Sequence, residues 1–251
     1  MERRSPAMAA PAVAGACPEC GVDNAPDHNY CKHCGTPLRA VALERELGTG
    51  FAERTRDRCL QLLRADPENA GAHYALGLAY YHLGQTGNAV RCFERTIAID
   101  DAYPGAHFQL AVAHYKRGAM GDCAAAARRA IELNPRSAPA HFRLALALFH
   151  LGRLEDAVVA FEQTLEADPD YVIACYHLGI IRERLDDIPG AIQCFERVVA
   201  ANPRDASAHY HLGLGYKRRG LDALAMGELA QALALDPDDT AAAAELQDLQ
   251  R

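Results

Sequence analysis

From Asp66 onward, small, aromatic and aliphatic residues return in one register every 34 residues. Asp66-Pro67, Asn134-Pro135, Asp168-Pro169, Asn202-Pro203 and Asp236-Pro237 mark the period, and at Asp100-Asp101 the proline has moved to Pro104. Between these marks the pattern Ala, His or Cys, aromatic, any residue, Leu, Gly or Ala starts at Ala72, Ala106, Ala140, Ala174 and Ala208. A small residue follows at Ala89, Cys123, Ala157, Ala191 and Ala225, then a mostly large one at Phe93, Ala127, Phe161, Phe195 and Leu229. Apolar positions three and four apart predict helices, so each period reads as helix, turn and second helix. Gly77, Ala111, Ala145, Gly179 and Gly213 are small, so the two backbones can approach closely, and the large residue fills the space beside that contact. Gly84, Gly118, Gly152 and Gly220 end first helices, with Asp186 in the corresponding place of the fourth unit, where Pro189 opens the second helix.

The five units run 70–103, 104–137, 138–171, 172–205 and 206–239. Their pattern resembles the tetratricopeptide repeat, which implies an all-α, right-handed helical solenoid. The chain departs from the family by placing His73, His107, His141, Cys175 and His209 where the family has Trp. Unit two lacks the aromatic filler and is expected to be the weakest contact of the stack. Leu38 to Gly48 and Phe51 to Ala65 read as two amphipathic helices of a degenerate further repeat, 39–69. Residues 240–251 read as a polar capping helix with Leu246 and Leu249, and Thr240 as its N-cap.

Nine cysteines fall into two groups. Cys59, Cys92, Cys123, Cys175 and Cys194 lie scattered through helical sequence, as in a chain kept reduced. Cys17, Cys20, Cys31 and Cys34 form two Cys-x-x-Cys pairs, each followed by glycine, a spacing that suits one structural Zn2+ in a closed tetrahedral thiolate site. Residues 17–38 have almost no core, so metal binding would supply most of their folding free energy. The segment resembles the short zinc ribbon found at the N-termini of many bacterial proteins. Iron is chemically possible at four thiolates, His28 and His33 are alternative ligands, and a dithiol redox motif or an oxidation-driven thiol sensor are further readings. Residues 1–16, with Arg3 and Arg4 followed by an Ala-rich run broken by Pro6 and Pro11, make a poor signal core and read as a disordered tail.

Composition narrows the function. Half the residues are apolar, 24% are charged, aromatics are 7% and Trp is absent, the balance of a helical chain with a core of small side chains. No run approaches the roughly 20 apolar residues of a membrane helix, so membrane insertion is not expected. A net charge of −7 argues against nucleic acid as the main partner. No phosphate loop, His-Glu-x-x-His or Gly-x-Ser-x-Gly occurs, so the chain is not expected to be an enzyme. The missing export signal and the unpaired cysteines point to the cytoplasm, and the Ala- and Arg-rich composition to a bacterial source.

The resemblance implies that the first helices line a concave face where partners lie as peptides. That face would carry Tyr74, Phe108, Phe142, Tyr176 and Tyr210, then Leu78, Val112, Leu146, Ile180 and Leu214, then Tyr81, Tyr115 and Phe149. His82, Lys116, His150, Arg184 and Arg218 would give it a basic edge, fit for an apolar peptide with acidic residues, with Gln109, Arg143, His177 and His211 on the neighbouring surface. The same row at helical spacing also suits packing between units. The Lys and Asn set with which some family members hold a terminal carboxylate is absent from these positions. The leading expectation is a non-catalytic adaptor or scaffold that binds a protein or peptide in the groove, with the ribbon as second interaction module. The alternative is a nucleic-acid-binding ribbon with the repeats as recruitment surface. Nothing in the pattern sets an oligomeric state.

Overall fold

The computed structural model describes residues 15–16, 23–24, 49–103 and 105–251. The chain divides into two units, Met1–Phe51 and Ala52–Arg251. In the first, strand β1 (Gly15–Ala16) pairs antiparallel with β2 (Asp23–Asn24), Gly15 opposite Asn24 and Ala16 opposite Asp23. The predicted zinc ligands Cys17, Cys20, Cys31 and Cys34, and the first helix of the degenerate repeat, lie outside the described residues.

Among the described residues twelve helices follow: α1 (Thr49–Ala65), α2 (Ala70–His82), α3 (Thr86–Ile99), α4 (Ala106–Lys116), α5 (Met120–Leu133), α6 (Ala138–His150), α7 (Leu154–Ala167), α8 (Val172–Arg184), α9 (Ile188–Ala201), α10 (Ala206–Arg218), α11 (Asp222–Leu235) and α12 (Thr240–Leu249). From α2 to α11 they form five antiparallel pairs, and each second helix also packs on the first helix of the next pair. First helices of neighbouring pairs touch as well, α2 with α4 and α4 with α6. They form one face of the stack, called here the inner face.

Side-chain size explains the close pairing. A Cβ added at Gly77 would stand 2.5 Å from Phe93 Cε1, one at Gly179 2.7 Å from Phe195 Cζ, and one at Gly213 2.8 Å from Leu229 Cγ. The ring or branched chain therefore occupies the volume a side chain would take. Turns between paired helices use a left-handed residue: Gly84, Gly118, Gly152 and Gly220, and in the fourth pair Asp186 at φ 65°. Asn69, Ser137 and Asp205 cap α2, α6 and α10 by accepting from the N–H of Ala72, Ala140 and Ala208. At α12 the cap is Asp239, which accepts from Ala241 and Ala242, rather than the expected Thr240; a carboxylate at the preceding position reaches two free N–H groups.

Each unit that carries histidine in place of Trp uses it in one way. His73, His107, His141 and His209 donate Nε2–H to the carbonyl six residues back, of Pro67, Asp101, Pro135 and Pro203, at 2.9, 3.0, 2.9 and 3.1 Å. A carbonyl can only accept, which fixes the proton on Nε2. The ring thus ties the first helix to the turn that delivers it.

Candidate functional site

At the ends of the first helices, a basic or imidazole side chain lies against the aromatic ring of the preceding unit. Lys116 Nζ stands 4.5 Å from the centre of the Tyr81 ring, and the Arg184 guanidinium 4.9 Å from that of Phe149. Tyr115 has two such neighbours: His150 Nε2 lies 3.0 Å from its hydroxyl, and the Arg143 guanidinium 4.8 Å from its ring centre. A ring face attracts a cation by about 0.5–2 kcal/mol without neutralising its charge. From Tyr81 to Phe149, the rings of the first three units, the inner face is therefore aromatic and carries cations.

The groove expected from sequence divides on burial. Tyr74, Leu78, Phe108, Val112, Tyr115, Phe149, Tyr176, Ile180, Tyr210 and Leu214 are half-buried, and Lys116, Arg184 and Arg218 are exposed. Phe142 and Leu146, each 1% exposed, belong to the core and not to an open surface. The Phe142 ring is enclosed by Tyr171 at 5.0 Å, Phe161 at 5.7 Å and His177 at 5.8 Å. Tyr81 is buried too, with Lys116 over its ring.

Arg143, expected on the surface of the groove, is 5% exposed. The register explains its position. His177 stacks on Phe161 and His211 on Phe195, with ring planes 10° and 12° apart. At the equivalent step unit two offers Ala127 and unit three answers with Arg143, the longest side chain of that row. Its Nε is buried without a hydrogen-bond partner, and no carboxylate of the described residues pairs with it.

The last two units are different. Glu183 replaces the aromatic residue, and its carboxylate lies 3.0 Å from His211 Nδ1. Lys217 donates to Glu245 at 2.7 Å and Asp248 at 2.6 Å, both on α12, and Arg218 pairs with Asp186. The bond from Lys217 holds the Asp248 carboxyl below its ordinary value. Glu183, Arg184, Leu214, Lys217, Arg218 and Glu245 line a cavity of about 570 Å³ here. The positive charge of the inner face thus ends where α12 begins.

Sequence reasoning missed Tyr171 and Arg197 and placed His177 only on the neighbouring surface. Tyr171 and His177 act across unit boundaries, visible in sequence only as a ring at the end of one period and a histidine six residues later. Burial raises the thiols of Cys92, Cys123 and Cys194 to about 11, so none is activated as a nucleophile. Among the described residues no group of three or more His, Cys, Asp or Glu could hold a metal ion, and no helix is long and apolar enough to cross a membrane.

Comparison with known proteins agrees with this architecture. Two family models described as tetratricopeptide repeat match residues 47–107 and 148–215, and one described as anaphase-promoting complex, cyclosome, subunit 3 matches residues 82–164. No curated protein matches the chain. Among solved structures, YrrB, described as a tetratricopeptide-repeat protein with an unusual peptide-binding site, is similar at a TM-score of 0.68 and 15% identity, over 75% of this chain and 97% of that one. MamA is similar at a TM-score of 0.62 and 22% identity, over 64% of this chain and 95% of that one. MamA from Desulfovibrio magneticus RS-1 gives 0.62 and 18%, over 68% and 97%.

Proposed function

We propose that this tetratricopeptide-repeat protein is a non-catalytic adaptor that holds a peptide segment of a partner protein along its first helices. The observation that carries this is the open row of half-buried aromatic and aliphatic side chains at Tyr74, Phe108, Tyr115, Phe149 and Tyr176 beside cations that rest on rings. Such a surface offers apolar area to a segment while keeping charge to orient it. YrrB, of similar fold, is described by its peptide-binding site. The five free thiols in the helices suit a reducing compartment, the cytoplasm.

The N-terminal segment is the second part of the proposal. Four thiolates at Cys17, Cys20, Cys31 and Cys34 are a donor set that fits one zinc ion. These cysteines would hold the ion, which supplies folding free energy and no open coordination position. The ribbon then presents a second interaction surface.

Affinity capture with three baits tests the adaptor role: wild type, an inner-face variant (Tyr115→Ala, Phe149→Ala, Arg184→Ala) and a ribbon variant (Cys31→Ser, Cys34→Ser). Loss of a protein partner from the inner-face bait alone supports it. If the inner-face bait stays folded and loses nothing while the ribbon bait sheds DNA or RNA, the repeats are a scaffold for a nucleic-acid-binding ribbon.

A further inference from the structure

Resting on the peptide-binding role, we infer that the segment held on the inner face is acidic and internal to its chain. Its side-chain carboxylates pair with Arg143 and Arg184, and no terminal carboxylate is needed.

The charge distribution points this way. Several arginines on other surfaces have carboxylates: Arg182 pairs with Glu162, Arg129 with Asp101 and Arg153 with Asp156. The two arginines that rest on inner-face rings do not. Arg143 and Arg184 lie on the rings of Tyr115 and Phe149 and have no carboxylate partner among the described residues. An arginine that is 5% exposed would ordinarily bring its counter-ion with it, because removing a charge from water is costly unless it is paired. The Tyr115 ring face compensates part of that cost and none of the charge, and Nε remains without an acceptor. An arriving carboxylate would complete the site.

The chain also contains its own example of such an occupant. One unit further on, Lys217 stands in the row of Tyr81, Tyr115 and Phe149, and α12 brings Glu245 and Asp248 to it. An acidic element with Leu246 and Leu249 packed on the apolar side is thus already seated at the end of this face. A partner segment of the same chemistry, with carboxylates spaced among apolar residues, suits the stretch that α12 does not reach. A terminal carboxylate is not required, because the cations are spread over units three and four and are not gathered at one point.

Selection from a display library of random dodecapeptides tests this. The peptides are fused through their C-termini, so no free terminal carboxylate is offered. Wild type, Arg143→Gln, Arg143→Lys and the exposed Arg184→Gln are used as full-length baits, each checked for helicity and melting temperature. Wild type is expected to enrich Asp and Glu about twofold over the unselected pool, next to apolar residues. Arg184→Gln should weaken the enrichment and Arg143→Gln abolish it, while Arg143→Lys keeps most of it. Peptides enriched without an acidic bias, or with the same bias in both glutamine variants, overturn this inference and leave the peptide-binding role standing. If no sequences are enriched, the role itself fails. A single-stranded oligonucleotide that displaces the selected peptides and depends on these arginines would assign the face to nucleic acid instead.

Discussion

Arg197 donates from Nη2 to the carbonyl oxygen of Pro169 at 2.8 Å, the bond that histidine makes in the other units. Unit four has Cys175 at the histidine position, 0% exposed and with no reach to that carbonyl. The guanidinium from α9 supplies the missing donor, 28 residues along the chain. Arg197→Ala should therefore destabilise the protein by about 1 kcal/mol, the net worth of one such bond. Adding Cys175→His should recover part of the loss. Urea unfolding of the single and double variants checks both, and equal stability of Arg197→Ala and wild type would contradict them.

Gly179 and Phe195 set the closest approach in unit four, but unit three already shows how alanine is accommodated there. Ala145 and Phe161 coexist, both 0% exposed. Gly179→Ala must push the Phe195 ring from a contact of 2.7 Å, and unit three shows that a ring can be seated beside alanine. The expected cost lies at the lower end of overpacking, about 1 kcal/mol. A melting temperature unchanged within error would show that the helices were never that close.

The imidazole of His114 is 8% exposed, and burial holds it below its ordinary value against the pull of Asp122, 4.0 Å away. As pH falls through about 6.5 the unfolded chain takes up this proton before the folded chain does. Stability is therefore lost as pH drops from there toward the lowered value, and is retained above. His114→Gln should flatten this part of the profile. Denaturant midpoints at pH 5.0, 6.0 and 7.5 would decide, and an equal slope in the variant would remove His114 as the cause.

Metal removal should separate the two groups of cysteines. With a chelator, alkylation at pH 8 is expected to reach Cys17, Cys20, Cys31 and Cys34, because the thiolates lose their ion. Cys92, Cys123 and Cys194, with thiols raised to about 11, should stay unmodified while the helices hold. Peptide mapping by mass spectrometry gives the answer. Rapid labelling of the first four without chelator would argue against a bound metal.

The repeat made the fold legible. A period of 34 with Pro at its end and small residues at fixed phase leaves little freedom in helix order, and the left-handed turn at Asp186 follows from the same register. The site was legible only in part, because exposure depends on what the next unit brings. Tyr74 and Phe142 hold equivalent positions, and each has a tyrosine ring 5.0 Å away, Tyr103 or Tyr171. Phe142 is also covered by His177, and without a hydroxyl to keep near water it becomes core. Arg143 was legible as a charge, but its burial follows from the missing ring at Ala127, one unit earlier.

Hydrogen exchange with a bound peptide tests the central claim most directly. A peptide taken from the library selection, added at saturation, should slow exchange in α4, α6 and α8 and leave α5, α7 and α9 unchanged. Protection confined to the second helices, or no protection at a concentration where the peptide is bound, would place the partner elsewhere and remove the inner face as the binding site.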